Sequence, residues 1–349
     1  MKVTANQAHT LSQKKNHIIL DVRSAPEWTK GIPKNAQCLN LDDLNSKATH
    51  ELSKKNHYYV ICQTSLRSKL AINELKKMGF NQLTLISGGF ESWLQSNLPI
   101  ELEDVCDDEL RYARHHQLLG FGKKAQQKLS EAHVLIIGVG GLGSPAALYL
   151  AAAGVGKITV VDADTVELSN LQRQIIHQTE SIGQHKVNSA KKQMLRINPN
   201  ITVNAIPQNI NTENINQIIN SVDVVIDGSD NLSTRYLVND ECLKLSKPLI
   251  YASVFQYELH ASVFDFRKKQ VPCLRCLFPM LQDHEPTNCT ETGVLGVVPG
   301  LAGVIQASEA IKIISEIGSV LAGQLLIIDM LDNSHRKIKF SKSTSCLFH

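Results

Sequence analysis

HVLIIGVGGLGS (His133 to Ser144), followed by KITVVDADTVELSNLQRQ (Lys157 to Gln174), is the stretch of this chain that decides its fold. Val134 to Ile137 is a short apolar run, partly β-branched, of the kind a buried parallel strand requires. Gly138, Gly140 and Gly143 then give G-x-G-x-x-G where that strand should turn into a helix. Glycines there let the backbone approach a phosphate, and the unpaired N–H groups of the helix start attract anions. Asp162 lies 19 residues after Gly143 at the end of the next apolar run, where a carboxylate can bind a ribose hydroxyl. Taken alone, this glycine pattern favours a nicotinamide enzyme.

The continuation points elsewhere. Ser169, Asn170, Leu171, Gln172 and Arg173 follow Asp162 within one loop, and G-Q-x-K ends at Lys186. Two cations and several amides beyond the ribose acid suit a triphosphate better than a dinucleotide. VDVVIDGSDN then runs an apolar strand into Asp230 and Asn231. A carboxylate at such a strand end suits Mg²⁺, which prefers one or two carboxylates together with substrate phosphates. The pattern therefore predicts an ATP site, against the plainer reading of a Rossmann fold with merely solvated charges.

The 349 residues are long enough for two domains, and a 43% hydrophobic share supports real cores. A net charge of +3 with no basic stripe predicts neither nucleic acid nor anionic membrane as a partner. The opening MKVTANQAHTLSQKKNHI has no apolar leader segment, so a cytoplasmic location is expected. Ala132 to Gly156 lacks Asp, Glu, Lys and Arg, yet its glycines and Pro145 fit a nucleotide turn rather than a membrane span. Eight cysteines in a chain of this kind suggest metal ligation or thiol chemistry.

An acidic seam, IELEDVCDDEL (Ile100 to Leu110), divides the chain. The expected division is a domain over 1–100, a linker over 101–109 and a second domain over 110–349. Before the seam, HIILDV, HYYVICQ and QLTLIS read as strands, and Ser68 to Met78 as a helix with an apolar stripe. After it come a helix over Glu109 to Leu118 and then βαβ units. Further strands are expected at Ile201–Ala205, Val222–Ile226, Leu249–Ser253 and His260–Asp265. A buried helix over Leu301 to Ile317 and a hairpin turning at Asp332 to Ser334 close the chain. The fold class is α/β, with mostly parallel sheets in both domains.

Cys62 ends an apolar strand and opens the loop C-Q-T-S-L-R-S just before a helix. The helix dipole, the curled backbone N–H groups and Arg67 all favour thiolate there. The same donors would stabilise a persulfide. With D-V-R (Asp21 to Arg23), Glu27, G-I-P (Gly31 to Pro33) and S-G-G-F-E-S-W (Ser87 to Trp93), this domain resembles the rhodanese sulfurtransferases. The resemblance implies that Cys62 carries the persulfide; Ser65 stands where many relatives have Gly.

From about Leu110 onward the chain resembles the MoeB/ThiF family of adenylating enzymes, related to ubiquitin activation. R-Y-A-R-H (Arg111 to His115), S-N-L-Q-R, Lys186 and Asp230-Asn231 carry the likeness. It implies a homodimer, with Arg114 reaching the nucleotide site of the other subunit. It further implies that the C-terminal glycine of a ubiquitin-fold carrier ending in Gly-Gly attacks the α-phosphate of ATP. Gly141 and its neighbours would contact phosphate, and Asp162 the ribose. Ser169 to Arg173 and Lys186 would hold the phosphates, with Asp230 on Mg²⁺. Cys289, in T-N-C-T-E-T-G-V-L-G, matches a cysteine that forms a thioester or acyl disulfide in relatives. Cys273 and Cys276 form a C-x-x-C knuckle for structural Zn²⁺. The family usually supplies a second such pair; this chain offers Cys346 and His349, predicting a Cys₃His site.

Joined, the halves predict adenylation of a sulfur-carrier protein followed by sulfur transfer from Cys62, giving a C-terminal thiocarboxylate for molybdopterin, thiamine or a related pathway. The sulfur donor is a cysteine desulfurase or thiosulfate, and sulfur has routes within or between subunits. The competing reading is a protein-conjugating activator that forms a Cys289 thioester without sulfur transfer. A nicotinamide oxidoreductase would need none of Arg173, Lys186 or Cys289.

Overall fold

The structure, a computed structural model, describes residues 1–102, 107–279, 293–344 and 346. The chain forms two compact units, Met1–Gln117 and Leu118–His349. Each has its own sheet and its own core.

The first unit runs β1 (Lys2–Val3), α1 (Ala5–Ser12), β2 (His17–Asp21), α2 (Ala25–Trp28), β3 (Ile32–Pro33) and β4 (Gln37–Cys38). It continues with α3 (Leu44–Glu51), β5 (His57–Ile61), α4 (Leu66–Lys77), β6 (Leu83–Ile86), α5 (Gly89–Gln95) and β7 (Ile100–Glu101). Its main sheet has the order β1-β6-β5-β2-β4 and every pairing in it is parallel. Side chains alternate across it. Leu20, Tyr58 and Val60 join Leu44, Leu75 and Phe80 on one face, while Ile19, Tyr59 and Ile61 join Phe90 and Trp93 on the other. A parallel sheet buried on both faces explains why these strands read as continuous apolar runs.

The single helix expected over Glu109 to Leu118 is instead two short ones, α6 (Asp107–Arg111) and α7 (Ala113–His116). Tyr112 breaks them at φ −101°, ψ 12°, with its ring buried. Burying that ring decides the backbone where propensity alone would continue the helix. Both short helices group with the first unit, so the boundary falls after the acidic seam.

The second unit opens with α8 (Gly122–Glu131), β8 (His133–Ile137), α9 (Gly143–Ala153), β9 (Lys157–Val161), α10 (Lys186–Ile197) and β10 (Thr202–Ile206). Then follow α11 (Ile215–Asn220), β11 (Val224–Asp227), α12 (Leu232–Lys244), β12 (Pro248–Phe255) and β13 (Glu258–Asp265). It ends with α13 (Leu274–Leu277), α14 (Val297–Ser315), β14 (Gln324–Asp329) and β15 (Ser334–Lys339). The sheet order is β10-β9-β8-β11-β12-β13-β14-β15. Pairing is parallel from β10 to β12 and antiparallel beyond. From β8 the chain winds outward to β9 and β10, then returns to place β11 on the other side of β8. Such a reversal opens a crevice at the carboxyl ends of β8 and β11, where ligands of α/β sheets bind.

The closing hairpin forms as expected, but its turn lies over Met330 to Asn333, and Ser334, opposite Asp329, already opens the return strand. Helix α14 starts earlier than expected, at Val297, and tolerates Pro299 because a first-turn residue needs no helical N–H bond. By length and composition α14 could cross a membrane, but half of it lies buried and it packs on α9, β12 and β13.

Candidate functional site

A cavity of about 290 Å³ occupies the crevice between β8 and β11. Gly138, Gly140 and Gly141 line one wall, Asp162 and Asp164 a second, and Gly228 to Asn231 a third. Arg173 and Lys186 also face it, so the structure brings both expected cations to the glycine turn.

The glycine turn is dictated sterically. Gly138 has φ +83°, and a Cβ there would meet the Gly228 carbonyl oxygen at 2.7 Å. A Cβ on Gly143 would stand 2.0 Å from the Gly138 oxygen. Gly143 therefore lets α9 close onto the turn and does not itself line the cavity.

Asp162 Oδ2 accepts the Val139 N–H at 2.8 Å, and Oδ1 accepts the Asp164 N–H at 2.9 Å. Burial raises the Asp162 carboxyl above its ordinary value, opposed by the Val139 N–H and by Lys186. The Lys186 ammonium is buried at the start of α10 and donates to Asp164 Oδ2 at 2.8 Å. Arg173 Nη1 donates to the Ser169 carbonyl at 3.1 Å.

The other members of S-N-L-Q-R lie away from the cavity. Asn170 and Glu167 cap a short 3₁₀ turn reciprocally, and the exposed Ser169 hydroxyl donates to Glu167 at 3.2 Å. Leu171 continues this turn, and the Gln172 carbonyl packs against Gly296. Ser169, Asn170, Leu171 and Gln172 thus shape the loop that delivers Arg173.

On the third wall Asp230 is exposed, and no partner holds its carboxylate among the described residues. Asn231 Oδ1 accepts the Thr234 N–H at 2.9 Å, capping α12. Beneath them the fully buried Asp227 accepts from the Ser229 N–H at 2.9 Å and its hydroxyl at 2.5 Å. Burial raises that carboxyl too. Asp164, Gln174, Gln208, Asn209 and Thr234 also line the cavity, and the sequence reading passed over them. Asp164 was detectable, two residues beyond Asp162; Gln208 and Asn209 follow β10 and reach the crevice only through sheet order.

In the first unit Cys62 follows β5 and is buried. Its Sγ accepts the N–H groups of Ser65 at 3.2 Å and Ser68 at 3.3 Å. This is the expected cradle. Ser65 holds φ +102°, a left-handed value that explains glycine at this position in relatives. A Cβ on Gly89 would lie 2.2 Å from the Cys62 carbonyl oxygen, so S-G-G-F exists to let two loops touch.

Arg67 faces the Cys62 charge as expected, but it is also paired with a carboxylate. Both arms of its guanidinium bind Glu27, each at 2.6 Å, so its charge is already matched. Burial alone would raise Glu27, but bonds from Arg67 and Ser24 hold it down at about 2. Arg23 is likewise committed, to Asp21 and the Gly31 carbonyl. Arg114 is exposed on α7 of this unit.

Cys273, Cys276 and Cys346 converge, with Sγ separations of 3.8 Å and 3.7 Å from Cys273 to the other two. Tetrahedral Zn–S bonds of about 2.3 Å imply sulfur edges of about 3.8 Å. The three thiols fit a zinc site. Burial and its neighbouring sulfurs push Cys273 up to about 12, while the Cys273 and Ser343 N–H groups, against burial, hold Cys276 below its ordinary value. A cation among them is what would let three thiolates coexist. His349 and Cys289 lie outside the described residues.

With the glycine turn, Asp162, Arg173, Lys186 and the thiol knuckle all in one unit, a ThiF family model matches residues 112–348. The chain belongs to the ThiF family. A rhodanese-like domain matches residues 4–96, ahead of the ThiF portion. The sulfur carrier protein adenylyltransferase of Thermus thermophilus is 41% identical over 240 residues, covering 68% of this chain and 89% of that protein. The adenylyltransferase and sulfurtransferase MOCS3 of Drosophila virilis is 44% identical over 242 residues, covering 69% of this chain and 53% of that one. The chain thus matches about half the length of the MOCS3 relatives. Among solved structures, E. coli MccB crystallised with ATP superposes with TM-score 0.60 at 24% identity, covering 68% of this chain and 73% of MccB. Another MccB structure gives 0.61 at 20%, covering 75% and 85%. These two establish the shared fold of the ThiF unit.

Proposed function

We propose that this ThiF-family chain adenylates the C-terminal glycine of a ubiquitin-fold sulfur-carrier protein and supplies sulfur to it from Cys62. The observation that carries the reading is the crevice where Gly140, Gly141, Asp162, Arg173, Lys186 and Asp230 meet, in a chain that also holds a cradled Cys62. The carrier carboxylate attacks the α-phosphorus of ATP, pyrophosphate leaves, and an acyl adenylate remains. A carboxylate is a poor electrophile, and AMP makes it a good one.

Arg173 and Lys186 neutralise charge developing on the phosphates, Lys186 exchanging its Asp164 partner for the nucleotide. Asp162 binds ribose, and Asp230, exposed on the cavity wall, would hold Mg²⁺, which would supply charge neutralisation for the departing pyrophosphate. The terminal sulfur of a Cys62 persulfide then attacks the acyl carbon and AMP leaves. Cleavage of the resulting acyl disulfide by a second thiol releases the thiocarboxylate and leaves that thiol in a disulfide with Cys62. Cys273, Cys276 and Cys346, with His349 as the sequence's candidate for the fourth ligand, would hold Zn²⁺ as a structural site. The protein acts as a homodimer in the cytoplasm.

Mass spectrometry of glycine-ending carriers incubated with the full chain, Mg-ATP and either thiosulfate or a cysteine desulfurase with cysteine tests this. One carrier should exchange one oxygen for one sulfur, and Cys62→Ala should abolish that exchange. A Cys289-linked carrier formed in full by Cys62→Ala, with no thiocarboxylate from either protein, would establish the conjugating alternative.

A further inference from the structure

His177 does not line the cavity, yet it touches the structure behind it. The imidazole is 5% exposed. Its Nε2 lies 3.1 Å from the Val139 carbonyl oxygen and its Nδ1 lies 3.1 Å from the Ser189 hydroxyl. A carbonyl only accepts, so Nε2 carries the proton; Nδ1 then accepts the Ser189 O–H. Burial, with help from the Lys186 charge and against the Val139 bond, lowers this histidine to about 4, so the ring is neutral near pH 7.

Val139 sits inside the glycine turn, between Gly138 and Gly140. Its N–H, in the Gly138–Val139 peptide, donates to Asp162 Oδ2 at 2.8 Å, and its carbonyl, in the Val139–Gly140 peptide, receives the His177 proton. Val139 is fully buried, and among the described residues its carbonyl has only one other side-chain partner, Ser144 Oγ, at a long 3.5 Å. Ser189 belongs to α10, whose first residue is Lys186. One side chain therefore ties the glycine turn, the ribose acid and the helix that carries a phosphate cation.

We infer that His177 is a positioning residue that locks the Val139 carbonyl and, through the Val139 backbone, sets the Asp162 carboxylate and the glycine turn for the nucleotide. The inference rests on reading the cavity as an ATP site. Without the Nε2 proton the buried Val139 carbonyl loses its short partner, the Val139–Gly140 peptide can rotate about the Val139 Cα, and the adjoining Val139 N–H shifts against Asp162.

Calorimetric titration of Mg-ATP and of its 2′-deoxy and 3′-deoxy analogues into the full chain separates the possibilities. In His177→Leu, Mg-ATP affinity should fall by roughly tenfold and the preference for the intact ribose should narrow. His177→Gln, whose amide can donate to the same carbonyl, should recover affinity to within about threefold. If His177→Leu does not fold, Ser189→Ala should weaken Mg-ATP measurably in the same direction. Wild-type affinity and ribose preference in folded His177→Leu, or in Ser189→Ala where that variant replaces it, would overturn the inference. A loss that leaves ribose preference unchanged would overturn it too, because the link through Asp162 would be absent. No Mg-ATP binding by the wild-type chain would instead remove the ATP reading on which it rests.

Discussion

Glu27 shows how a motif can mark a residue without saying what it does. In the sequence it accompanies D-V-R as part of a motif; in the fold it absorbs the charge of Arg67 beside the Cys62 loop. Its folded-state value of about 2 lies below the ordinary 4.5. The pair's contribution to stability is therefore complete above about pH 4.5 and is lost as pH falls towards 2. Acid unfolding of the full chain followed by tryptophan fluorescence should show this: Glu27→Gln should flatten the stability loss across that window while lowering stability at pH 7. An unchanged acid profile would mean that the pair contributes nothing net. His177 has the same sign over a different range, since a value lowered from 6.5 to about 4 loses stability as pH falls through that interval. His177→Gln should reduce the pH dependence of second-unit unfolding between those limits.

At the scale of elements, the junctions between strands and helices carry the chemistry. The β8–α9 turn depends on Gly143, since a methyl group would be driven to 2.0 Å from the Gly138 oxygen. Gly143→Ala should either prevent the second unit from folding or cost more than tenfold in Mg-ATP affinity, measured by calorimetry. The knuckle at α13 makes an independent prediction. Wild-type chain should contain about one zinc per chain by atomic emission. Cys276→Ser or prolonged chelation should remove it and lower the unfolding temperature of the second unit by several degrees. Zinc content unchanged in His349→Ala would take His349 out of the site.

The whole molecule consists of two units with separate cores, so its two chemistries should be separable by mutation. Cys62→Ala should leave carrier-dependent ATP–pyrophosphate exchange within about twofold of wild type, because the residues assigned to adenylation all lie in the other unit apart from Arg114. Lys186→Ala should reduce that exchange by two orders of magnitude or more while Cys62 persulfide still forms, detectable by mass. Loss of both activities from either substitution would mean that the units act as one catalytic body.

Much of this was legible in the chain itself. Apolar runs bounded by glycine marked most of the strands, because a parallel strand buried on both faces tolerates little else. G-x-G-x-x-G and Asp162 marked the crevice, because close backbone approach and a ribose contact restrict residue type at short range. Cys62, Cys273 and Cys276 declared themselves through local spacing. What only the tertiary structure decided were pairings between residues distant in sequence. These are the neutralisation of Arg67 by Glu27 and the delivery of Gln208 and Asn209 to the crevice, while the break at Tyr112 follows from the burial of its ring. The division has a physical reason. Backbone conformation and anion binding act over a few residues and leave their mark on short motifs, whereas charge matching and burial depend on which segments the sheet order brings together.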